Sequence, residues 1–173
     1  MLEIIETVRA AWPAGKQLSV RISSVDGVEG GLELADQIAF AREAKARGVD
    51  LIDCSSGGLL GSATAARIPR GYGFQVPYAD EIRKQAEIAT IAVGLILHPQ
   101  QAEDILAQGH ADIVAIGREA LFDPNWPLHA QLELGNEGGE VFGAWPKQYG
   151  WWLERREPGL RKLDGPALLF RRG

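Results

Sequence analysis

Four short runs of β-branched and apolar residues alternate strictly with helix-periodic segments, and this alternation most narrows the folds open to the chain. The runs occupy residues 18–23, 49–54, 90–93 and 111–116. An opening helix shows Leu2, Ile5, Val8 and Ala11 at helical spacing and stops at Trp12-Pro13-Ala14-Gly15. Further helices are predicted over 34–47, 77–86, 99–108 and 125–134, with Gly48 and Gly109 as stops and Pro77 suited to a first turn. The runs recur roughly 25 to 40 residues apart, which fits parallel strands joined by right-handed crossovers with helices over both sheet faces. Strands buried on both faces read as continuous apolar runs, as Ile113-Val114-Ala115-Ile116 does.

Two architectures meet this pattern, a doubly wound open sheet and a (β/α)8 barrel. A dinucleotide fold places G-x-G-x-x-G after its first strand, whereas here the first run ends Arg21-Ile22-Ser23. Small-residue turns follow the last two runs instead, at Gly94-Leu95 and Gly117-Arg118. That position is where barrels hold phosphates. Glycine lets backbone N–H groups approach an anion, and the Arg118 guanidinium adds a forked cation. The plainer alternative makes both glycines ordinary strand-ending turns and Arg118 a surface partner of Glu119 or Asp123. The fold class expected is α/β, with four βα units of a TIM (β/α)8 barrel over residues 1–134. Residues 135–173 are expected as an irregular C-terminal arm and tail, with one short helical stretch near 151–156.

Composition removes several classes of function. The net charge of -5 argues against general nucleic-acid binding. Arg155, Arg156, Arg161, Lys162, Arg171 and Arg172 gather the basic charge in the tail, where a solvated terminus accounts for them. No apolar run is long enough for a membrane span, and Met1-Leu2-Glu3-Ile4-Ile5-Glu6 lacks the basic start of a signal peptide, so a cytoplasmic chain is expected. The one cysteine, Cys54, lies in an apolar run with no histidine near in sequence, and is expected to pack as a small hydrophobe. No metal-ligand spacing is present.

Several motifs in order carry a resemblance. Leu18-Ser-Val-Arg-Ile-Ser, Gly48-Val-Asp-Leu-Ile-Asp-Cys-Ser-Ser-Gly-Gly, Gly73-Phe-Gln-Val-Pro-Tyr-Ala, Ala92-Val-Gly-Leu-Ile, Ala111-Asp-Ile-Val-Ala-Ile-Gly-Arg-Glu-Ala-Leu and Asp123-Pro-Asn-Trp-Pro resemble the Old Yellow Enzyme family. These are FMN-dependent ene-reductases, also called NADPH dehydrogenases, and the likeness is to the bacterial subclass with xenobiotic reductases. The resemblance runs from the first residues to about Trp152. It implies the second half of an FMN-holding TIM barrel, strands five to eight, with NADPH or NADH as hydride donor and an activated alkene as small-molecule substrate.

The resemblance also implies roles for individual residues. Arg21 would donate to the pyrimidine edge of the flavin, where a guanidinium opposes charge collecting on the reduced ring. Ser55 would lie near the cofactor, and Gly94, Gly117 and Arg118 around its phosphate. Read by itself, Arg21 also fits a salt bridge with Asp53 or Asp112, and Ser55 and Ser56 fit caps of the following segment. His98, His110 and His129 are expected to be structural, because the family's substrate-gripping histidines lie in the other half. Trp152 is similar to an aromatic wall residue of a C-terminal arm that reaches a neighbouring subunit, while Trp151 stands where some relatives carry arginine. Packing of that arm on its own barrel is the alternative.

An arc of barrel exposes two strand edges, so a homo-oligomer or a complementary N-terminal half is the expected partner, and little ene-reduction is expected of the chain alone. A non-catalytic holder of FMN or another phosphate ligand is the competing reading. A phosphate-binding lyase or isomerase is the third, with Asp53 as its only strand-end acid or base.

Overall fold

Parallel pairing in a single register sorts the strand side chains of this chain onto two unlike faces. The computed structural model describes residues 1–57, 68–135, 141–160 and 162–163. The Gly, Ala and Ser-rich stretch at 58–67, and Arg161, Arg171 and Arg172, lie outside the described residues. Two compact units result, Met1–Pro124 and Asn125–Gly173.

In the first unit, α1 (Leu2–Ala11) precedes β1 (Ser19–Ser23), α2 (Leu34–Ala46), β2 (Leu51–Ser55), α3 (Val76–Ala86), β3 (Ala89–Ala92), α4 (Pro99–Ala107), β4 (Ile113–Val114) and a short α5 (Arg118–Phe122). The sheet runs β1-β2-β3-β4, all parallel and in sequence order. A doubly wound sheet reverses its order at a switch point, and this one does not. Sequential order is what an arc of a (β/α)8 barrel requires. The α/β class and the strand-helix alternation read from the sequence are borne out.

Local chemistry fixes the element ends. A capping box starts α2, where the Glu33 N–H donates to the Asp36 carboxylate at 2.9 Å and the Glu33 side chain accepts from the Asp36 backbone N–H. Pro77 and Pro99 occupy the first turns of α3 and α4, where a missing N–H leaves nothing unpaired.

Register aligns Val20, Ile52 and Thr90 in one row and Ile22, Cys54, Ala92 and Val114 in the next. Ile52, Cys54, Thr90 and Ala92 are fully buried. The buried stripe Ala79, Ile82 and Ala86 belongs to α3, which packs on β2 and β3, and the buried stripe Ile38, Ala41 and Ala44 to α2, which packs on α3. A fully buried isoleucine or leucine stabilises by about 1.5–3 kcal/mol, so this face carries much of the fold.

The opposite row, Arg21, Asp53, Ile91 and Ile113, differs. The Arg21 side chain is 67% exposed and Ile113 44% exposed. Helix cover over both faces, expected from the sequence, is therefore not seen at these positions among the described residues. The apolar run at 111–116 forms a strand only at Ile113–Val114, because among the described residues β4 pairs on one side, with β3. The ladder is prolonged by the Asp112 N–H donating to Thr90 O at 3.0 Å and the Ala115 N–H to Ala92 O at 2.8 Å.

In the second unit, α6 (Trp126–Leu134) is followed by α7 (Lys147–Leu160), longer than the stretch predicted near 151–156. Gly150 reads as a helix breaker but is buried in α7, where an added Cβ would lie 2.7 Å from Phe142 O. Close backbone approach explains a glycine at that place. Trp145 packs on His129 with ring centroids 5.5 Å apart, and the Arg155 guanidinium lies 3.7 Å from the Trp151 ring.

Candidate functional site

The C-terminal ends of the strands deliver their turns into one cleft of about 230 Å³. Arg21 enters from β1, Gly94 and Leu95 follow β3, and Gly117 and Arg118 follow β4. Gly94 has φ +115°, a conformation that L side chains rarely adopt, and a Cβ there would meet Phe74 Cε1 at 3.0 Å. Leu95 next to it has φ +53°. A non-glycine residue held in the left-handed region costs about 1–3 kcal/mol and persists where its surroundings enforce it. Two side-chain contacts brace the segment: Gln101 Nε2 donates to Leu95 O at 3.1 Å, and Gln101 Oε1 accepts from the Leu97 N–H at 3.0 Å.

Arg21 has two neighbours across the β1–β2 register. Its Nε donates to Ser55 Oγ at 3.2 Å and stands 3.8 Å from Asp53 Oδ2. Ser55 Oγ in turn donates to Ile22 O at 2.9 Å. Ser55 thus touches Arg21 but is not among the described residues that line the cleft, whereas its neighbour Ser56 is. Of the two partners open to Arg21, Asp53 is the one it meets, because Asp112 is engaged elsewhere. Both oxygens of Asp112 accept from Arg83, at 3.0 Å each, and one also accepts from the Thr90 N–H at 2.9 Å. Burial works to raise the Asp112 pKa, but the Arg83 guanidinium and the Thr90 N–H outweigh it and hold the carboxyl below its usual range.

Among the described residues Arg118 takes no ion-pair partner, Glu119 and Asp123 included, and its side chain is exposed in the cleft. Two further residues of the cleft carry chemistry that sequence reasoning missed, Arg70 and Gln75. Arg70 follows a stretch with no periodic pattern, and Gln75 lies inside the Gly73-Phe-Gln-Val-Pro motif without any spacing that marks it. The donors of the cleft are guanidinium, amide and hydroxyl groups. Glu119 is the one carboxylate among its described lining residues, and no histidine, tyrosine or cysteine is among them.

The other chemistry-bearing residues lie elsewhere. His98, at the N-cap of α4, lines a separate groove of about 630 Å³ between α3 and α4, with its ring 5.9 Å from Tyr72. His110 lines the same groove with Nδ1 3.2 Å from Asp80 Oδ1. Burial pushes the Asp80 carboxyl up, while hydrogen bonds from Lys84 and His110 more than offset it, leaving its pKa lowered. Cys54 is fully buried, and desolvation, aided by the Asp53 charge, pushes its thiol up to about 12. Such a thiol is no nucleophile at neutral pH.

Sequential parallel strands, with glycine turns and guanidinium groups gathered at their C-terminal ends, define an α/β barrel-type chain with a cleft suited to an anionic ligand. Residues 1–137 match the NADH:flavin oxidoreductase / NADH oxidase family, and the chain belongs to that family. It is 48% identical to an NADPH dehydrogenase of Halalkalibacterium halodurans over 133 residues, 77% of this chain and 38% of the relative. An NADPH dehydrogenase of Listeria monocytogenes is 46% identical over 147 residues, 85% of this chain and 40% of the relative. One of Geobacillus sp. is 47% identical over 133 residues, 77% of this chain and 37% of the relative. The chain thus spans about two-fifths of the length of the curated relatives it matches. The resemblance drawn from the motifs is borne out at the level of the family.

Proposed function

We propose that the cleft holds FMN and that the chain is the FMN-binding part of an NAD(P)H-dependent ene-reductase. One observation carries the reading: Gly94, Gly117 and the guanidinium groups of Arg70 and Arg118 converge at the C-terminal strand ends. That donor set fits a phosphate, since backbone N–H groups beside glycine approach closely and guanidinium adds charge-assisted bonds. When bound, FMN supplies hydride transfer from NADPH or NADH to an activated alkene.

The chain's own residues bind and orient. Gly94 and Gly117 keep the turns free of Cβ atoms, and Arg118 neutralises phosphate charge. Arg21 presents its guanidinium on the open sheet face, steadied by Ser55 and Asp53. A side chain with two anchors loses less freedom when a ligand engages it. A buried single thiol suits a reducing, cytoplasmic setting.

The same reading includes completion by another chain, either a complementary N-terminal half or a second copy. Among the described residues β1 and β4 each pair on one side, and unpaired strand edges are templates for association. A second reading, FMN binding without turnover, is favoured by the lack of histidine, tyrosine or cysteine among the described residues of the cleft.

Titration of the full chain with FMN, followed by flavin fluorescence beside Arg118→Ala, tests the binding. Saturable binding that weakens in the variant supports the reading, and no binding overturns it for this chain. NADPH consumption with an enone then separates the enzyme from the holder.

A further inference from the structure

We infer that Gln75 is a cofactor-binding residue, its side-chain amide donating to the phosphate of the bound flavin nucleotide; this rests on the reading of the cleft as an FMN site. Gln75 is 7% exposed and lines the cleft, yet its Nε2 finds no hydrogen-bond partner among the described residues. A buried amide left unpaired costs about 1–3 kcal/mol, which a polypeptide seldom retains without a use.

The structural duty open to the side chain at this place is absent. Gln75 is the N-cap residue of α3, but its side chain makes no capping bond there. Only its backbone serves the helix, its carbonyl accepting from the Tyr78 N–H at 3.1 Å. Position supplies the other half of the argument. A Cβ at Gly94 would lie 3.2 Å from Gln75 Cγ, so the Gln75 side chain lies against the strained turn after β3. Ser56 Oγ, a second buried polar atom without a partner among the described residues, lines the same cleft. Arg70 and Arg118 are there too.

An amide nitrogen is a donor only, as is a guanidinium. A ligand group that meets several such donors at once must be rich in acceptor oxygens and bear negative charge, as a phosphate does. The side chain lies beside Gly94, one of the two glycine turns of the cleft, so its N–H adds to the donor set with no added charge.

The experiment compares the full chain with Gln75→Leu, Gln75→Glu and Arg118→Ala, titrating each with FMN and with riboflavin and recording the melting temperature without ligand. Gln75→Leu is expected to weaken FMN roughly ten-fold to a hundred-fold, the worth of a hydrogen bond to a charged group. Riboflavin affinity is expected to stay the same. Gln75→Glu, which faces the phosphate with a carboxylate, is expected to weaken FMN more. The ligand-free melting temperature of Gln75→Leu is expected to hold or rise, because an unpaired buried amide is removed. A residue with a purely structural role would lower it.

Unchanged FMN affinity in Gln75→Leu, with Arg118→Ala impaired, overturns the inference and leaves the cleft reading standing. Equal losses for FMN and riboflavin overturn the phosphate assignment. Failure of the parent chain to bind FMN overturns both.

Discussion

The two faces of the sheet come from the same four strands, yet they are built for different ends. On one, Ile52, Cys54, Thr90 and Ala92 are fully buried, with α3 packed on β2 and β3. On the other, Arg21 and Asp53 form a partly solvated pair and Ile113 is open to water. Neighbouring residues of one strand therefore serve different ends, packing at Ile52 and Cys54 and an ion pair with Arg21 at Asp53. Stability and binding should separate when each face is perturbed alone.

The strongest test of that division is Ile52→Ala. Truncating a fully buried isoleucine should cost about 2–5 kcal/mol in urea unfolding. A cost below 1 kcal/mol would break the comparison, because the sealed face would not carry the fold.

Gly94→Ala lies at the boundary between the two regions. Its φ of +115° and the 3.0 Å approach to Phe74 Cε1 should destabilise by about 1–3 kcal/mol and reduce FMN affinity together. Separation of the two effects would show that the turn is not shared between fold and cleft.

Asp112→Asn acts at the far side of the sheet from Arg21. Its ties to Arg83 and the Thr90 N–H are partly exposed, so their loss should cost about 1 kcal/mol at neutral pH. The lowered pKa of Asp112 gives the sign of the pH dependence. Stabilisation is fully present above the ordinary carboxylate value and is lost as pH falls through the lower folded value. Acid titration of unfolding should therefore show a decline below about pH 4 that is smaller in the variant. Equal acid sensitivity in both would remove Asp112 from the account.

Smallest in stability is Arg118→Ala, expected to change unfolding by less than about 0.5 kcal/mol because the side chain is exposed and makes no ion pair among the described residues. Its FMN affinity should nonetheless fall steeply. A stability loss matching the binding loss would make Arg118 a structural residue.

Much of the fold was legible because it is periodic. Leu2, Ile5, Val8 and Ala11 announce α1, and Pro77 and Pro99 mark the starts of α3 and α4 within a residue. What was not legible depends on neighbours. Ala111 to Ile116 reads as a full strand, but pairing on one side leaves only Ile113–Val114 in the ladder. The five residues of α5 are too few to show a period, and α7 lies in a region poor in periodic pattern, with Gly150 inside it held by close approach to Phe142. In the cleft, Gly94, Gly117 and Arg118 stood out as strand-end turns, and the structure brings them together with Arg21. Gln75 and Arg70 gave no such sign. A glutamine becomes informative only when its burial and its lack of a partner are known.

Cys54 has a use that follows from where it lies. It is the sole thiol of the chain, fully buried in β2, on which α3 packs. A thiol-specific label can reach it only when that layer parts. The rate of labelling in native buffer therefore reports how readily the sheet opens, and a ligand bound in the cleft at the ends of the same strands should slow it.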